Sequence, residues 1–461
     1  MKTLLIYPNW HDPMYSTLPI GLASIAAVLM KNGIEVAVMD CSADNLGIED
    51  IVRRVGEFKP DVIGVSAMTP MIGQALEIAR AVKNVSKAFV VIGGVHASIC
   101  PEDVISNEHV DFAVMGEGEC TFLELCRAIG AGDVAYEKID GLVFRRDGRS
   151  VRNKPRELVN LDDYPIAAVE LFPVRKYRQS IGDSNFMTMI TSRGCPYVCT
   201  YCINSCDAVF GKKYRAVSPE RVIQELKHYI KTYQFTEIDF YDDNFTFNKA
   251  RVHAICDLIL KEGLQFKWKC SSRAESIDEE LLRKMKQAGC WLIAFGVESG
   301  DRKILDAVRR NTSIDKVKNA FRLTHQAGIK TVGYFMIGFP DDTWETVGKT
   351  VQLARDINPT YAQFAIVTPY PGTRIYEEYK KDNLIVSNDW SKFNYTGTQV
   401  EPVVRSRHMT AGELALAYKK ALRSFYFRPG YMWRQLLDNL SIEGFQRLFR
   451  GFMLIVRSSG K

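Results

Sequence analysis

A short apolar strand followed by an amphipathic helix, repeated in two separate series, constrains this chain more than any other feature of its 461 residues. In the first series, strand-like runs rich in Val and Ile fall at 3–7, 35–39, 61–66, 89–93 and 111–115, with helical patterns at 21–31, 48–57 and 73–84 between them. These runs are short and mainly apolar and do not alternate. That is the pattern of parallel strands covered by helices on both faces. Such a doubly wound sheet binds ligands beyond the carboxyl ends of its strands. The second series has strands at 186–191, 237–241, 265–271, 291–297, 331–338 and 361–367, with helices at 220–233, 251–261, 279–288, 315–327 and 343–356. Six β/α units fall short of the eight in a full barrel, so a partial TIM-like barrel is expected.

The fold class is therefore α/β. A Rossmann-like domain is expected at 1–135, a linker at 136–180, a partial (β/α)6 barrel at 181–385 and a basic, helical C-terminal region at 386–461. Within the linker, Asp147-Gly148 marks the tip of a hairpin turn. The basic surplus belongs to the tail. Residues 401–461 hold 11 Lys and Arg against 4 Asp and Glu, and the rest of the chain holds 49 against 50. Helical patterns at 431–440 and 445–456 mix Trp, Phe, Leu and Met with Arg. Two readings stay open for them, a cap packed on the barrel or contact with a membrane surface. No apolar run reaches the roughly 18 residues that a transmembrane helix needs. The first residues read as a strand, not a signal peptide, so a cytoplasmic protein is expected.

Three loops at strand ends of the first series are rich in small residues: Ser66-Ala67-Met68-Thr69-Pro70, Gly93-Gly94-Val95-His96-Ala97-Ser98 and Gly116-Glu117-Gly118-Glu119. Glycine lets a backbone approach a bulky ligand closely, although plain turn chemistry explains such loops equally well. No G-x-G-x-x-G follows the first strand, which leaves a dinucleotide site without support.

Eleven cysteines in such a chain suggest thiols and metal sites more than disulfides. Cys41, Cys100, Cys120, Cys126, Cys256, Cys270 and Cys290 are scattered and read as small buried hydrophobes. The other four crowd into 195–206. Cys195, Cys199 and Cys202 have the spacing C-x3-C-x2-C, which lets one short loop present three soft thiolates to an iron–sulfur cubane. Three ligands for four irons leave one iron open to a small chelate. With Cys206 added, a structural zinc site or a fully ligated electron-transfer cluster is the alternative.

That spacing, with Tyr201 just before the last cysteine, resembles the radical S-adenosylmethionine (SAM) superfamily. The resemblance implies a 4Fe-4S cluster whose open iron binds SAM. It also implies a 5′-deoxyadenosyl radical that removes hydrogen from an unactivated C–H bond. It extends to later strand ends in order: Tyr241-Asp242-Asp243-Asn244, Ser272-Arg273, Phe295-Gly296-Val297-Glu298-Ser299 and Gly333 to Pro340. By that likeness, Tyr201, Asp242, Asp243, Arg273, Gly296, Glu298, Ser299 and Ile337 are candidate SAM contacts.

A doubly wound domain ahead of such a barrel is similar to the cobalamin-binding subfamily, over roughly residues 1–400. The implied cobalamin contacts are Ser66, Met68, Thr69, Gly93, Gly94, His96, Gly116, Glu117 and Gly118. The Asp-x-His-x-x-Gly motif that ligates cobalt in many cobalamin proteins is absent, and Asn9-Trp10-His11-Asp12-Pro13 stands in the first loop instead. The likeness implies C-methylation of a small-molecule or lipid substrate, with an electron donor such as flavodoxin or ferredoxin and no nucleic acid. Ring-forming or rearranging radical chemistry is the alternative, and a methylthiotransferase acting on tRNA or protein a more distant one.

Overall fold

The computed structural model describes residues 1–9, 16–206, 209–394 and 401–438. The chain divides into two compact units. One comprises Met1–Val198, Cys202–Phe245 and Ala254–Trp268; the other comprises Cys199–Tyr201, Thr246–His253 and Lys269–Lys461.

The first unit is built on a seven-stranded sheet. Its strands are β1 (Lys2–Tyr7), β2 (Glu35–Asp40), β3 (Val62–Ser66), β4 (Phe89–Gly93), β5 (Phe112–Val114), β6 (Leu142–Arg146) and β7 (Arg149–Arg152). They lie in the order β2-β1-β3-β4-β5-β6-β7. β1 to β5 are parallel, in registers such as Leu4↔Ile63 and Ile63↔Val90. Leu4, Ile6, Val62, Ile63, Val90 and Ile92 are wholly buried, as strands covered on both faces require. The order reverses at β1, between β2 and β3, and such a switch opens a crevice beyond the carboxyl ends of the strands.

The hairpin expected within the linker is part of this sheet. β6 runs antiparallel to β5, pairing Phe144 with Phe112 and Leu142 with Val114, and β7 pairs with β6. Leu142, Val143 and Phe144 are buried, so these residues extend the core. Asp147 and Gly148 both have positive φ, 51° and 73°, as a tight two-residue hairpin turn demands.

The same unit contains β8 (Phe186–Met189), β9 (Ser192–Arg193), β10 (Arg215–Ala216) and β11 (Glu237–Phe240). β8 and β11 are parallel, and β9 pairs antiparallel with β10, setting Arg193 opposite Arg215. The helix Pro219–Tyr233 starts where the Ser218 hydroxyl accepts from Arg221 N and ends at Gln234 in left-handed conformation. Its Val222, Ile223, Leu226 and Tyr229 are buried.

The division falls within β12 (Lys267–Ser272). β13 (Cys290–Glu298), β14 (Lys330–Ile337) and β15 (Tyr361–Ile366) follow in the second unit, and all three are parallel. The order of the six-stranded sheet is β15-β14-β13-β12-β11-β8, the simple succession expected of a partial barrel. The register slips between Gly296 and Glu298, and Glu298 has a φ of 68°. A capping box between Thr410 and Glu413 starts the helix Ala411–Tyr426. Its Tyr426 hydroxyl donates to Ala362 O at 2.7 Å and accepts from Ala362 N at 3.1 Å, on the edge strand β15. The helix expected at 431–440 is present as Pro429–Asp438, whereas the pattern at 445–456 lies outside the described residues. Among the described residues, no helix is long and apolar enough to cross a membrane.

Candidate functional site

In the first unit, a cleft opens at the carboxyl edge of β1, β3, β4 and β5. Ser66, Gly93, Gly94, Gly116, Glu117 and Gly118 line it, with Leu5, Gly64 and Phe122 deeper between sheet and helix. Its empty space, open mouth included, is about 850 Å³. Glycine is required at Gly94, whose φ is 93°; an added Cβ would come within 2.7 Å of Ala67 O. At Gly64, in mid-strand, a Cβ would meet the Phe122 ring at 2.8 Å. At both positions the space a Cβ would need is already taken, by the Ala67 backbone at Gly94 and by the Phe122 and Leu5 side chains at Gly64.

Three residues expected on this surface are not among those lining it. His96 is fully buried, with Nδ1 3.3 Å from Thr69 Oγ1 and Nε2 3.4 Å from Asp103 Oδ2. Burial lowers its pKa below the usual 6.5, against a weaker pull from Asp103. Thr69 is buried beside it, and Met68 is exposed. Thr69 and His96 face inward, where their side chains meet.

The opposite wall of the cleft comes from Ile190, Arg193, Val209 and Phe210, which bracket the cysteine loop in sequence. Arg193 was not singled out by the sequence. Its Nη1 donates to Glu117 Oε2 at 3.0 Å and its Nη2 to Glu119 Oε1 at 2.6 Å. Arg215 also pairs with Glu117, and the Ser24 hydroxyl donates to Glu119 at 2.8 Å. Burial pushes the Glu119 carboxyl up, but Arg193 outweighs it and the net shift is downward. Glu117 therefore reaches the cleft with both oxygens already held.

Asp242 and Asp243, adjacent in sequence, differ sharply. Asp242 is buried and accepts from Thr191 N at 2.7 Å, Thr191 Oγ1 at 2.8 Å and Ser192 Oγ at 2.5 Å. Its carboxylate is spent on the segment leading to Cys195. Asp243 keeps an exposed face but is crowded on its other sides. Loss of water raises its carboxyl to about 6, as does Asp242, while Asn204 and the Gly194 backbone pull it down.

In the second unit, Arg273 Nη1 lies 3.5 Å from Cys199 Sγ, and its Nη2 donates to Arg310 O at 2.5 Å. Arg310, also missed in the sequence, is buried. Its Nη2 donates to Gly296 O at 2.6 Å and its Nε stands 3.7 Å from Glu298 Oε1. Glu298 accepts from Tyr201, and burial raises its pKa despite Arg310. The Tyr201 ring lies 5.9 Å from that of Phe339. Tyr201, Arg273, Gly296 and Glu298 are thus brought together through Arg310. Ser299 is not part of that group: its hydroxyl sits 3.2 Å from Thr350 Oγ1 and accepts from Asp301 N. Ile337 is wholly buried in β14.

Cys199 and Cys206 are buried, and Cys195 and Cys202 are partly exposed. Of the seven scattered cysteines, Cys41, Cys126, Cys256, Cys270 and Cys290 are buried, and Cys100 and Cys120 only partly so. Among the described residues, no three His, Cys, Asp or Glu side chains converge on a position for one metal ion. A cubane places fewer demands of that kind, because its thiolates bind different irons. The donor set fits a cluster in two respects: the ligands are soft sulfurs, and a guanidinium stands beside Cys199, where a bound thiolate would be anionic.

Comparison with known proteins bears on both regions. Residues 189–354 match the radical SAM superfamily, and residues 13–126 match the B12 binding domain. The uncharacterized methyltransferase PH0819 of Pyrococcus horikoshii is 35% identical, over 99% of this chain and 98% of its own. The anaerobic magnesium-protoporphyrin IX monomethyl ester cyclase of Rubrivivax gelatinosus is 27% identical, over 94% of this chain and 78% of its own. The cobalamin-dependent S-adenosylmethionine radical enzyme OxsB, solved with aqua-cobalamin and S-adenosylmethionine, shares the fold. Its TM-score is 0.78 at 18% identity, over 99% of this chain and 71% of that one.

Proposed function

The chain belongs to the radical S-adenosylmethionine enzymes that carry a cobalamin-binding domain, and from that premise we propose that it methylates an unactivated carbon of a small-molecule or lipid substrate. The cofactors of this family are S-adenosylmethionine, a 4Fe-4S cluster and cobalamin. When bound, they supply a radical that abstracts hydrogen and a carrier of methyl groups. The observation that supports methyl transfer is the shared wall of the cleft. Ile190 and Arg193 lead into the cysteine loop, and both line the cleft at the carboxyl edge of the first sheet. A methyl carrier held there stands beside the loop that would hold the cluster.

In this reading Cys195, Cys199 and Cys202 ligate the cluster. Arg273 offsets the charge of Cys199 and faces the carboxylate of S-adenosylmethionine. Asp243, the more open of the paired carboxylates, faces its ammonium group. Tyr201 and Glu298, held by Arg310, orient the ribose. Gly93, Gly94, Gly116 and Gly118 let the backbone approach the flat face of cobalamin. His96 has no part in binding cobalt, because its ring is enclosed. A small electron donor such as flavodoxin or ferredoxin reduces the cluster. The basic tail, with Trp433 exposed on the helix Pro429–Asp438, is the part suited to a lipid surface.

A second reading, radical ring formation, is favoured by the likeness to the cyclase across 94% of the chain. One experiment tests both. The full chain is reconstituted anaerobically with iron, sulfide and hydroxocobalamin, then reduced in the presence of S-adenosylmethionine. Release of 5′-deoxyadenosine that is lost in Cys195→Ala is expected. S-adenosylhomocysteine formed alongside it indicates methyl transfer, and 5′-deoxyadenosine alone favours ring formation. No 5′-deoxyadenosine from the wild type would sink both.

A further inference from the structure

Four charged side chains are buried together where the cleft meets the cysteine loop. Arg193, Arg215, Glu117 and Glu119 have side chains between 3% and 13% exposed. Two carboxylates and two guanidiniums balance in number, so the group carries no net charge. Burying such a group is costly compared with apolar packing, and its best-attested use is to specify one geometry.

The geometry here joins two loops far apart in sequence. Glu117 ends the loop after β5 and Glu119 lies in the first turn of the helix Gly118–Ala131; both line the cleft with Gly116 and Gly118. Arg193 lies two residues before Cys195 and is paired through β9 with Arg215 on β10. The two Nη atoms of Arg193 are divided between the two carboxylates, at 3.0 Å and 2.6 Å. A forked donor of this kind tolerates little displacement of either loop. Ser24 holds Glu119 from the helix Ile20–Lys31, and Val159 O accepts from Arg215 Nη1 at 2.8 Å. The acidic loop is thus fixed from behind, and Arg193 is the part that reaches the cysteine loop. The ring of Phe210 covers the guanidinium at 5.7 Å.

We propose that Arg193 is a positioning residue that makes the order of the Cys195 loop depend on what fills the cleft. A ligand in the cleft packs against the Glu117, Glu119 and Arg193 side chains that line it and restricts their movement. The Glu117–Arg193–Glu119 fork then tightens and carries that restraint to residues 193–195. Cobalamin and the cluster are coupled in this way before any substrate is present. The inference rests on the reading that the cleft binds cobalamin and that Cys195 is a cluster ligand.

The test is amide hydrogen exchange of the full-length, iron-reconstituted protein with and without hydroxocobalamin. In the wild type, exchange of the peptide spanning 192–197 is expected to slow about fivefold or more on addition of hydroxocobalamin, the lower end of ordinary site-to-site coupling. The Arg193→Met/Glu119→Gln double variant removes one charge of each sign, which spares the fold an unpaired buried ion. Compared at hydroxocobalamin concentrations that saturate it, its loop peptide is expected to exchange at the same rate with and without the ligand. Should the double variant not fold, Glu119→Gln alone carries the comparison and is expected to reduce the slowing. The proposal is overturned by wild-type slowing that persists undiminished in the variant that folds, or by no slowing in a wild type that binds hydroxocobalamin. A wild type that takes up neither iron nor hydroxocobalamin overturns the functional reading instead.

Discussion

Asp242 grips Thr191 twice, accepting from its backbone N at 2.7 Å and from its hydroxyl at 2.8 Å. The carboxylate at the end of β11 thereby fixes the residue that begins the turn into the cysteine loop. Asp242→Asn leaves one acceptor where three donors converge. We expect a loss of about 2 kcal/mol, the worth of a hydrogen bond to a charged group. Thermal unfolding and iron bound per chain should both fall. Retained iron with weakened binding of S-adenosylmethionine would return Asp242 to the role its sequence context suggests.

Cys206 distinguishes a three-thiolate site from a fully ligated one. Cys206→Ala should leave the iron–sulfur absorbance intact at a stability cost of about 1 kcal/mol for the buried atoms removed. Cys202→Ala should abolish that absorbance. Equal loss in both variants would mean that four cysteines hold the metal.

Gly94 sits in a backbone region open almost solely to glycine. Gly94→Ala should cost about 1–3 kcal/mol of backbone strain and displace this cleft-lining loop from the Ala67 backbone, which a Cβ would approach to 2.7 Å. Hydroxocobalamin retained after gel filtration should drop, while the iron content of the reconstituted protein holds. Unchanged retention would separate the cleft from cobalamin binding.

His96 contributes a pH dependence of definite sign. Its pKa is lowered in the folded state, so the unfolded chain takes up protons more readily. The stability it confers is complete above 6.5 and is lost as the pH falls below that value through the lowered folded pKa. His96→Gln, which keeps a polar partner for Thr69, should remove this component from denaturant melts compared at pH 7.5 and pH 5.5. The visible spectrum of bound hydroxocobalamin should be the same in the variant, since the ring is not turned to the cleft.

The two series of strands and helices were legible in the sequence because short, mainly apolar runs recur between helical patterns. The hairpin β6–β7 was harder to place. Its outer strand, Arg149–Arg152, is charged and exposed and looks like part of a polar connector, while only Leu142, Val143 and Phe144 reach the core. The cysteine loop stands out as a candidate cluster site from its spacing alone. The chemistry around it does not. Asp242 and Asp243 are the same residue type side by side, and only burial separates a structural clamp from an open carboxylate. Glu117 and Arg215 are 98 positions apart, and nothing local to either announces a partner at that range. Arg310 pairs with Glu298 beside a register slip in β13 that no sequence pattern announces. His96 looked like a ligand in a glycine-rich loop; packing against Thr69 made it a core residue.

The arginines of β7 also shape how copies of this chain behave in concentrated solution. A flat terminal strand invites a second molecule to continue its ladder. Here an incoming copy would bring its own Arg149 and Arg152 against those of the first, Arg152 being paired with Glu102, and like charge opposes that ribbon-like stacking. The very residues that make the hairpin resemble a linker thus act as a barrier to aggregation.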